Sequence, residues 1–304
     1  MKKIITHRKI NKKIDTLDHL IATLDIKDGV FYHCVENAAV LYSEIKLVKK
    51  DGKTRLINAP QKKLKIIQRL LLDKVFSGIK LLPCVYGFSS STSVVANAKV
   101  HSKSDHLLNL DLQNFFPSVH MERVKGLYAD IGLGNIAAVL CRLTTLEHQL
   151  PQGAPTSPFL ASLALTNLDH RLYSLARKNN LFYTRYFDDL SFSGGKRVTV
   201  IEKDILRIIV EEGYKTKKSK RALYEKGETK EINGICALKG KLFLKNTDEI
   251  LGYINDLATY GLERLQTANP IKECQSLKGK IAFLKQVDPV RSLELENAFL
   301  KIKW

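Results

Sequence analysis

Three acidic residues carry the chemistry this chain offers. Asp188 and Asp189 are adjacent within a stretch rich in Tyr and Phe, and Asp111 closes an apolar run that starts near His106. If the hairpin bearing the pair lies beside that run, three negative charges meet. Two like charges about 4 Å apart repel by roughly 4 kcal/mol at an effective dielectric of 20. Such a cluster persists by holding protons or by holding divalent cations. Its donors are hard oxygens with no His or Cys nearby in sequence, which favours Mg²⁺ over zinc. Two such ions would suit in-line phosphoryl transfer: one side activates a hydroxyl, the other stabilises a departing pyrophosphate. Taken alone, Asp-Asp at a turn is ordinary turn chemistry and a strand-ending Asp is a cap.

The elements that must position these acids can be read from periodicity. His106 to Asp111 is a short strand; Pro117 breaks the chain, and a helix runs on to about Asp130. Leu181 to Ser193 reads as strand, tight turn, strand, with the acid pair at the turn. Between them Leu150-Pro151-Gln152-Gly153-Ala154-Pro155 is an irregular loop, and Thr156 or Ser157 is placed to cap a following helix with Pro158 in its first turn. The stripe Leu160, Leu163, Ala164, Leu168, Leu172 and Leu175 predicts four turns of that helix. Upstream, Leu17, Leu20, Ile21 and Leu24 mark a helical patch. Ile45–Val48 and Thr54–Ile57 predict a hairpin around Asp51-Gly52 that carries Lys53 and Arg55, and residues 62–76 read as a helix. Downstream, Val198–Glu212 is an amphipathic helix ending at Gly213. A basic run Lys215–Arg221 leads to strands around Glu231–Leu244, and from Thr247 the pattern is helical. The expected architecture is an α+β body with a small helical C-terminal part.

Forty-nine Lys and Arg against 31 Asp and Glu give a net charge of +18, which suits a polyanionic partner. Nucleic acid is the first candidate and an anionic membrane surface the second, since the cations are scattered rather than confined to one amphipathic helix. The five cysteines are odd in number and far apart, so neither a zinc site nor a disulfide framework is expected. Met1–Asn11 is polar and basic, no run is long enough to span a bilayer, and the expected location is cytoplasmic.

Tyr186-Phe187-Asp188-Asp189 resembles the Tyr-x-Asp-Asp signature of reverse transcriptases. Asp111-Leu112-Gln113-Asn114-Phe115-Phe116-Pro117-Ser118 is similar to their first acidic motif, and Leu150-Pro151-Gln152-Gly153 to the loop before their palm helix. Order and spacing agree over about residues 45–245. Within that family the bacterial retron branch is most alike: Asn97-Ala98-Lys99-Val100-His101 matches its Asn-Ala-x-x-His element. Two departures stand out. Ile232-Asn233-Gly234 replaces the retron Val-Thr-Gly, and Phe187 replaces a common alanine, at a position expected to pack near the primer end.

The resemblance implies a right-hand polymerase fold with fingers, palm and small helical thumb. Its divisions would be residues 1–105 (N-terminal helices and fingers), 106–235 (palm, with an inserted fingers segment at about 120–155) and 236–304 (an RNA-binding thumb). A Lys-Gly break is expected within Leu277–Asp288. It assigns two Mg²⁺ to Asp111, Asp188 and Asp189 with the Leu112 carbonyl. Lys53, Arg55, Asn114, Phe115, Phe116, Gln152 and Lys220 would meet the deoxynucleoside triphosphate, Phe116 as a steric gate against a ribose 2′-OH and Lys220 as proton donor to pyrophosphate. Asn233 and Gly234 would grip the primer, and Asn97 and His101 are taken as RNA contacts. The implied activity is RNA-directed DNA synthesis from a 2′-OH of a cognate structured noncoding RNA. Its product is branched RNA-linked single-stranded DNA, serving with an effector protein in antiphage defence. The alternatives are a reverse transcriptase of another prokaryotic branch, of intron, diversity-generating or abortive-infection type, and a silent nucleic-acid-binding scaffold.

Overall fold

The computed structural model describes residues 14–48, 52, 54–88, 90–267 and 269–304. The expectations placed on Met1–Asn11, Asp51 and Lys53 lie outside the described residues. Two short helices, α1 (Leu17–Leu24) and α2 (Asp28–Glu36), precede a hairpin of β1 (Tyr42–Val48) and β2 (Thr54–Pro60). Helix α3 (Lys62–Leu70) buries Leu64 and Ile67, then widens into π-type winding over Leu71–Phe76, so the predicted helix 62–76 is continuous in path but not in hydrogen-bond pattern. After β3 (Val85–Tyr86), helix α4 (Val94–His101) is capped by the Ser93 side chain, which accepts from Ala96 N–H.

The strand predicted to end on a carboxylate is β4 (His106–Asp111), followed by α5 (Met121–Asp130) and α6 (Ala137–Thr144). The leucine stripe after the Gln152 loop is carried by two abutting helices, α7 (Ser157–Ala164) and α8 (Thr166–Lys178), rather than one. Leu165 leaves helical geometry at φ −88°, ψ 2°. The expected cap is also absent: Ser157 Oγ donates back to the Pro151 carbonyl (2.7 Å), closing the loop, and Thr156 is buried without capping its helix. Strands β5 (Phe182–Tyr186) and β6 (Asp189–Gly194), helices α9 (Arg197–Val200) and α10 (Glu202–Glu211), and β7 (Ala222–Tyr224) complete a five-stranded sheet of order β3-β5-β6-β4-β7. Only β3–β5 is parallel.

Alternation along these strands sorts the side chains into two faces. Leu108, Leu110, Tyr183, Leu190 and Phe192 enter the main core with Leu160, Leu168 and Leu172. Fully burying one such side chain contributes about 1.5–3 kcal/mol. Leu107 points the other way, into a smaller cluster with Val95, Ala98, Ile232 and Ile235. That cluster seats a second sheet of β8 (Lys230–Ile232), β9 (Ile235–Leu238) and β10 (Lys241–Phe243) against α4 and β4. The last helices, α11 (Thr247–Tyr260), α12 (Pro270–Val287) and α13 (Pro289–Phe299), hold their own core around Ile254, Leu277, Leu284 and Leu295. The Lys-Gly break expected there does not occur: Lys278 and Gly279 lie inside α12, whose apolar stripe runs through them. Among the described residues no helix is long and apolar enough to cross a membrane.

Candidate active site

Register places the acids. In the β4–β6 ladder Asp111 pairs with Asp189, and Tyr186 pairs with Asp189 across the β5–β6 hairpin, leaving Phe187 and Asp188 as its two-residue turn. Phe187 sits at φ 53°, in the left-handed region, with its ring edge-on to Phe88 and Tyr186. The half-buried ring thus packs against the edge of the main core. A Cβ on Gly87 would lie 3.0 Å from that ring, at a φ of 101° that itself favours glycine. The turn is tied to β4 by Leu112 N–H donating to the Asp188 carbonyl (2.9 Å), and Lys217 N–H donates to the Asp111 carbonyl (2.8 Å).

The acids perturb one another. Burial, then Asp188 and Asp111, pushes Asp189 up to about 6, against the opposing Lys220 charge and a hydrogen bond from Asn233. Asp188 is raised too, by burial and Asp111, with Lys220 and Arg55 opposing. Lys220 Nζ is ion-paired with Asp111 Oδ2, and Asn233 Nδ2 donates to Asp189 Oδ2 at 2.7 Å. Among the described residues no three acidic, His or Cys side chains are arranged as a closed metal cluster, and one oxygen each of Asp111 and Asp189 is engaged by Lys220 and Asn233. The donor chemistry nevertheless fits a hard divalent cation: carboxylate oxygens, mutually repelling, beside a cation that already compensates them.

Two cavities meet at this point. One, of about 480 Å³, is lined by three of the expected metal ligands, Asp111, Leu112 and Asp188, and by Arg55, Asn114, Phe115, Phe116, Gln152 and Lys220, the residues expected to meet a nucleotide apart from Lys53. The other, of about 230 Å³, lies beyond Asp111 and Lys220 and is lined by Asp189, Asn233 and Gly234. A larger cavity of about 730 Å³ is walled by Phe76, Phe88, Phe159 and prolines, with no acid, so volume alone does not mark the chemistry.

The Gln152 loop docks on the β1–β2 hairpin: Asn58 N–H donates to the Gln152 carbonyl (2.7 Å), and a Cβ on Gly153 would meet Ile57 Cγ2 at 2.6 Å and the Asn58 carbonyl at 2.9 Å. Only glycine permits that approach at φ 127°. Asn233 (φ 49°) and Gly234 (φ 83°) form the two-residue β8–β9 turn, where an Asn-Gly pair supplies two positive φ values. This accounts for Asn233 where the retron element has threonine.

Two of the expected RNA contacts face inward: Asn97 and His101 are fully buried. Each is engaged inside: Asn97 with Asn233 and Thr184, His101 with Thr184 and Ser193. Sequence reading also missed Arg185. It is fully buried, donates to the Phe187 carbonyl (2.9 Å), and is held by Asp169 through Nε (2.8 Å) and Nη2 (2.7 Å). Burial opposes its charge, and Asp169 restores it. The available signal was a charge at the inward position of a strand, with an acid at an inward position of the leucine-striped helix.

The reverse transcriptase (RNA-dependent DNA polymerase) family model matches residues 47–254. This chain is a member of the reverse transcriptase family. The retron Mx65 reverse transcriptase of Myxococcus xanthus is 35% identical over 72% of this chain and 57% of its own length. The retron Mx162 enzyme of the same organism is 28% identical over 86% and 60%. The retron Ec86 reverse transcriptase of Escherichia coli is 30% identical over 75% and 69%. The chain thus spans under two thirds of the Myxococcus relatives' length, and it belongs to the bacterial retron-type branch. A solved foamy viral protease–reverse transcriptase superposes with a TM-score of 0.47 at 19% identity, over 80% of this chain and 35% of that one. Family membership, together with the mixed sheet and the helices packed on it, gives this retron-type chain the right-hand polymerase fold.

Proposed function

We propose that this chain is an RNA-directed DNA polymerase of retron type, extending a primer with deoxynucleotides on a cognate structured noncoding RNA. The observation that carries this reading is the Asp111–Asp189 register, which opens on a cavity lined by Arg55, Gln152 and Lys220. In this proposal Asp111, Asp188 and Asp189, with the Leu112 carbonyl, hold two Mg²⁺. When bound, the ions supply Lewis-acid stabilisation of the attacking and leaving oxygens.

The remaining work falls to the chain. Arg55, with Lys53, neutralises the triphosphate, and a guanidinium fork matches phosphate oxygens. Backbone N–H groups at Asn114 and Phe115 cradle the phosphates, Asn114 being already in the left-handed conformation such turns use. The Phe116 ring, braced on Phe115 at 5.0 Å, excludes a ribose 2′-OH. Gln152 contacts the nucleotide, Asn233-Gly234 approaches the primer, and Lys220 protonates pyrophosphate, a role its half-exposed ion pair with Asp111 supports.

We further propose the division into fingers (1–105), palm (106–235) and thumb (236–304), the separate core of α11–α13 supporting a distinct thumb. A 2′-OH priming site, branched RNA–DNA product, effector protein and antiphage role follow as parts of this retron reading. Replacing Asp188 and Asp189 by Asn should abolish deoxynucleotide incorporation on primed RNA while circular dichroism stays unchanged. An undiminished rate would leave only a nucleic-acid-binding scaffold. Nucleic acid co-purifying with the protein should include short DNA that migrates faster after ribonuclease yet keeps a branch; its absence would favour another reverse transcriptase branch.

A further inference from the structure

The face of the palm sheet that bears the acids also carries a line of small polar side chains. Asp189, Ser191 and Ser193 alternate along β6, and Thr184 faces Ser191 across β5. Helix α4 lies over them with Asn97 and His101 one turn apart, both fully buried. Six hydrogen bonds join these groups. Asn233 Nδ2 donates to Asp189 Oδ2 (2.7 Å), and Asn97 Nδ2 donates to Asn233 Oδ1 (2.7 Å). Thr184 Oγ1 donates to Asn97 Oδ1 (2.5 Å). Its proton being committed there, Thr184 accepts from His101 Nε2 (2.7 Å). Burial holds His101 neutral, so Nδ1 accepts from Ser193 (2.7 Å), which in turn accepts from Ser104 (2.9 Å). Each donor points the same way, and the line ends on an acid of the site.

We infer that His101, Thr184 and Asn97 are positioning residues for the Asp189 carboxylate, acting through Asn233 along this one-way chain of donors. The inference rests on the polymerase reading for its consequence. Aligned donors polarise one another and hold a single rotamer at each step. Asp189 Oδ2 is thereby fixed toward Asn233, and its second oxygen is left for the cavity. The chain also clips the β8–β9 turn to the palm, helped by Asn109, which donates to the Glu231 carbonyl (2.7 Å) and accepts from Ser191 (2.9 Å). Disturbing α4 would therefore reach an acid that it does not touch.

Thr184→Val keeps the side chain's shape and removes the hydroxyl. Outer-shell losses at metal sites cost about 10–100-fold. Mn²⁺ binding, measured by electron paramagnetic resonance without nucleic acid, should weaken by about tenfold, and the maximal incorporation rate on primed RNA should fall by a similar factor. The KM for deoxynucleotide and the affinity for primed RNA should stay within about twofold. Thr184→Ser, which restores the hydroxyl, should recover both losses. Asn233→Gly tolerates the turn's positive φ and cuts the line nearest the acid, so adding Thr184→Val to it should cost nothing further. A folded Thr184→Val protein that binds Mn²⁺ and turns over like the parent overturns the inference, as do losses that multiply in the double variant. Should Thr184→Val not fold, Asn97→Asp replaces the amide donor by an acceptor in the same shape and is judged by the same criteria. A parent chain unable to incorporate deoxynucleotides would overturn the polymerase reading, while the Mn²⁺ measurement still decides the positioning role.

Discussion

The two faces of the palm sheet solve one problem by different means. Toward α8, the Phe187 carbonyl of the acid-bearing turn is held by a fully buried ion pair, Arg185 with Asp169. Toward α4, an acidic side chain is held by a neutral line of amides, hydroxyls and one imidazole. A buried charge pair is rigid but severe in failure, because losing one partner strands the other in a low-dielectric interior. A neutral line fails by smaller steps, each leaving a polar group unsatisfied. Backbone position is thus entrusted to charge, and carboxylate orientation, which must serve chemistry, to dipoles.

Single substitutions test that contrast. Asp169→Ala should be the most damaging, lowering unfolding free energy by about 3–5 kcal/mol in urea titrations, since Arg185 keeps its charge without a partner. On the opposite face Thr184→Val should cost about 1–3 kcal/mol by the same measurement. Equal costs would erase the distinction.

His101 separates the faces by pH. Burial holds its folded-state pKa far below the ordinary value, at about 3. The unfolded chain takes up this proton as pH falls through about 6.5, and the folded chain does not. Stability from this group is therefore present above pH 6.5 and lost toward pH 3, at up to about 1.4 kcal/mol per pH unit. His101→Gln should flatten that slope between pH 7 and pH 5, whatever it does to stability at pH 7. Asp169→Ala should leave it intact. The smallest effect is expected for Ser104→Ala, at the half-exposed start of the line, about 0.5–1.5 kcal/mol by thermal or urea unfolding. A larger loss there would show that the line is held from its outer end.

The strands and turns bearing the acids were legible because their signals are local. Alternation gave β4 and the β5–β6 hairpin, and the end of β4 at Asp111 followed from where the apolar run stops. The split between α7 and α8 was not legible, because the leucine spacing continues across Leu165 while the backbone does not. The break imagined at Lys278-Gly279 failed for the reverse reason: tertiary burial of Leu277, Ile281 and Leu284 outweighs the roughly 1 kcal/mol helix penalty of one glycine. The RNA contacts expected of Asn97 and His101 rest on the resemblance alone, and no local pattern marks the two as buried. The polar partners of His101 are hydroxyls that strands 83 and 92 residues later in the chain bring beneath α4.

Local patterns along the chain account for the kinds of chemical group present, the elements that carry them, and family membership through the order of its motifs. Residue type and short-range periodicity suffice for those. The packing of distant segments set the rest: that Asp111 turns Oδ2 to Lys220, that Asp189 turns Oδ2 to Asn233, and that Arg185 braces the turn. Such pairings join residues far apart in the chain, and their geometry is set by sheet register and helix packing, which no local pattern encodes.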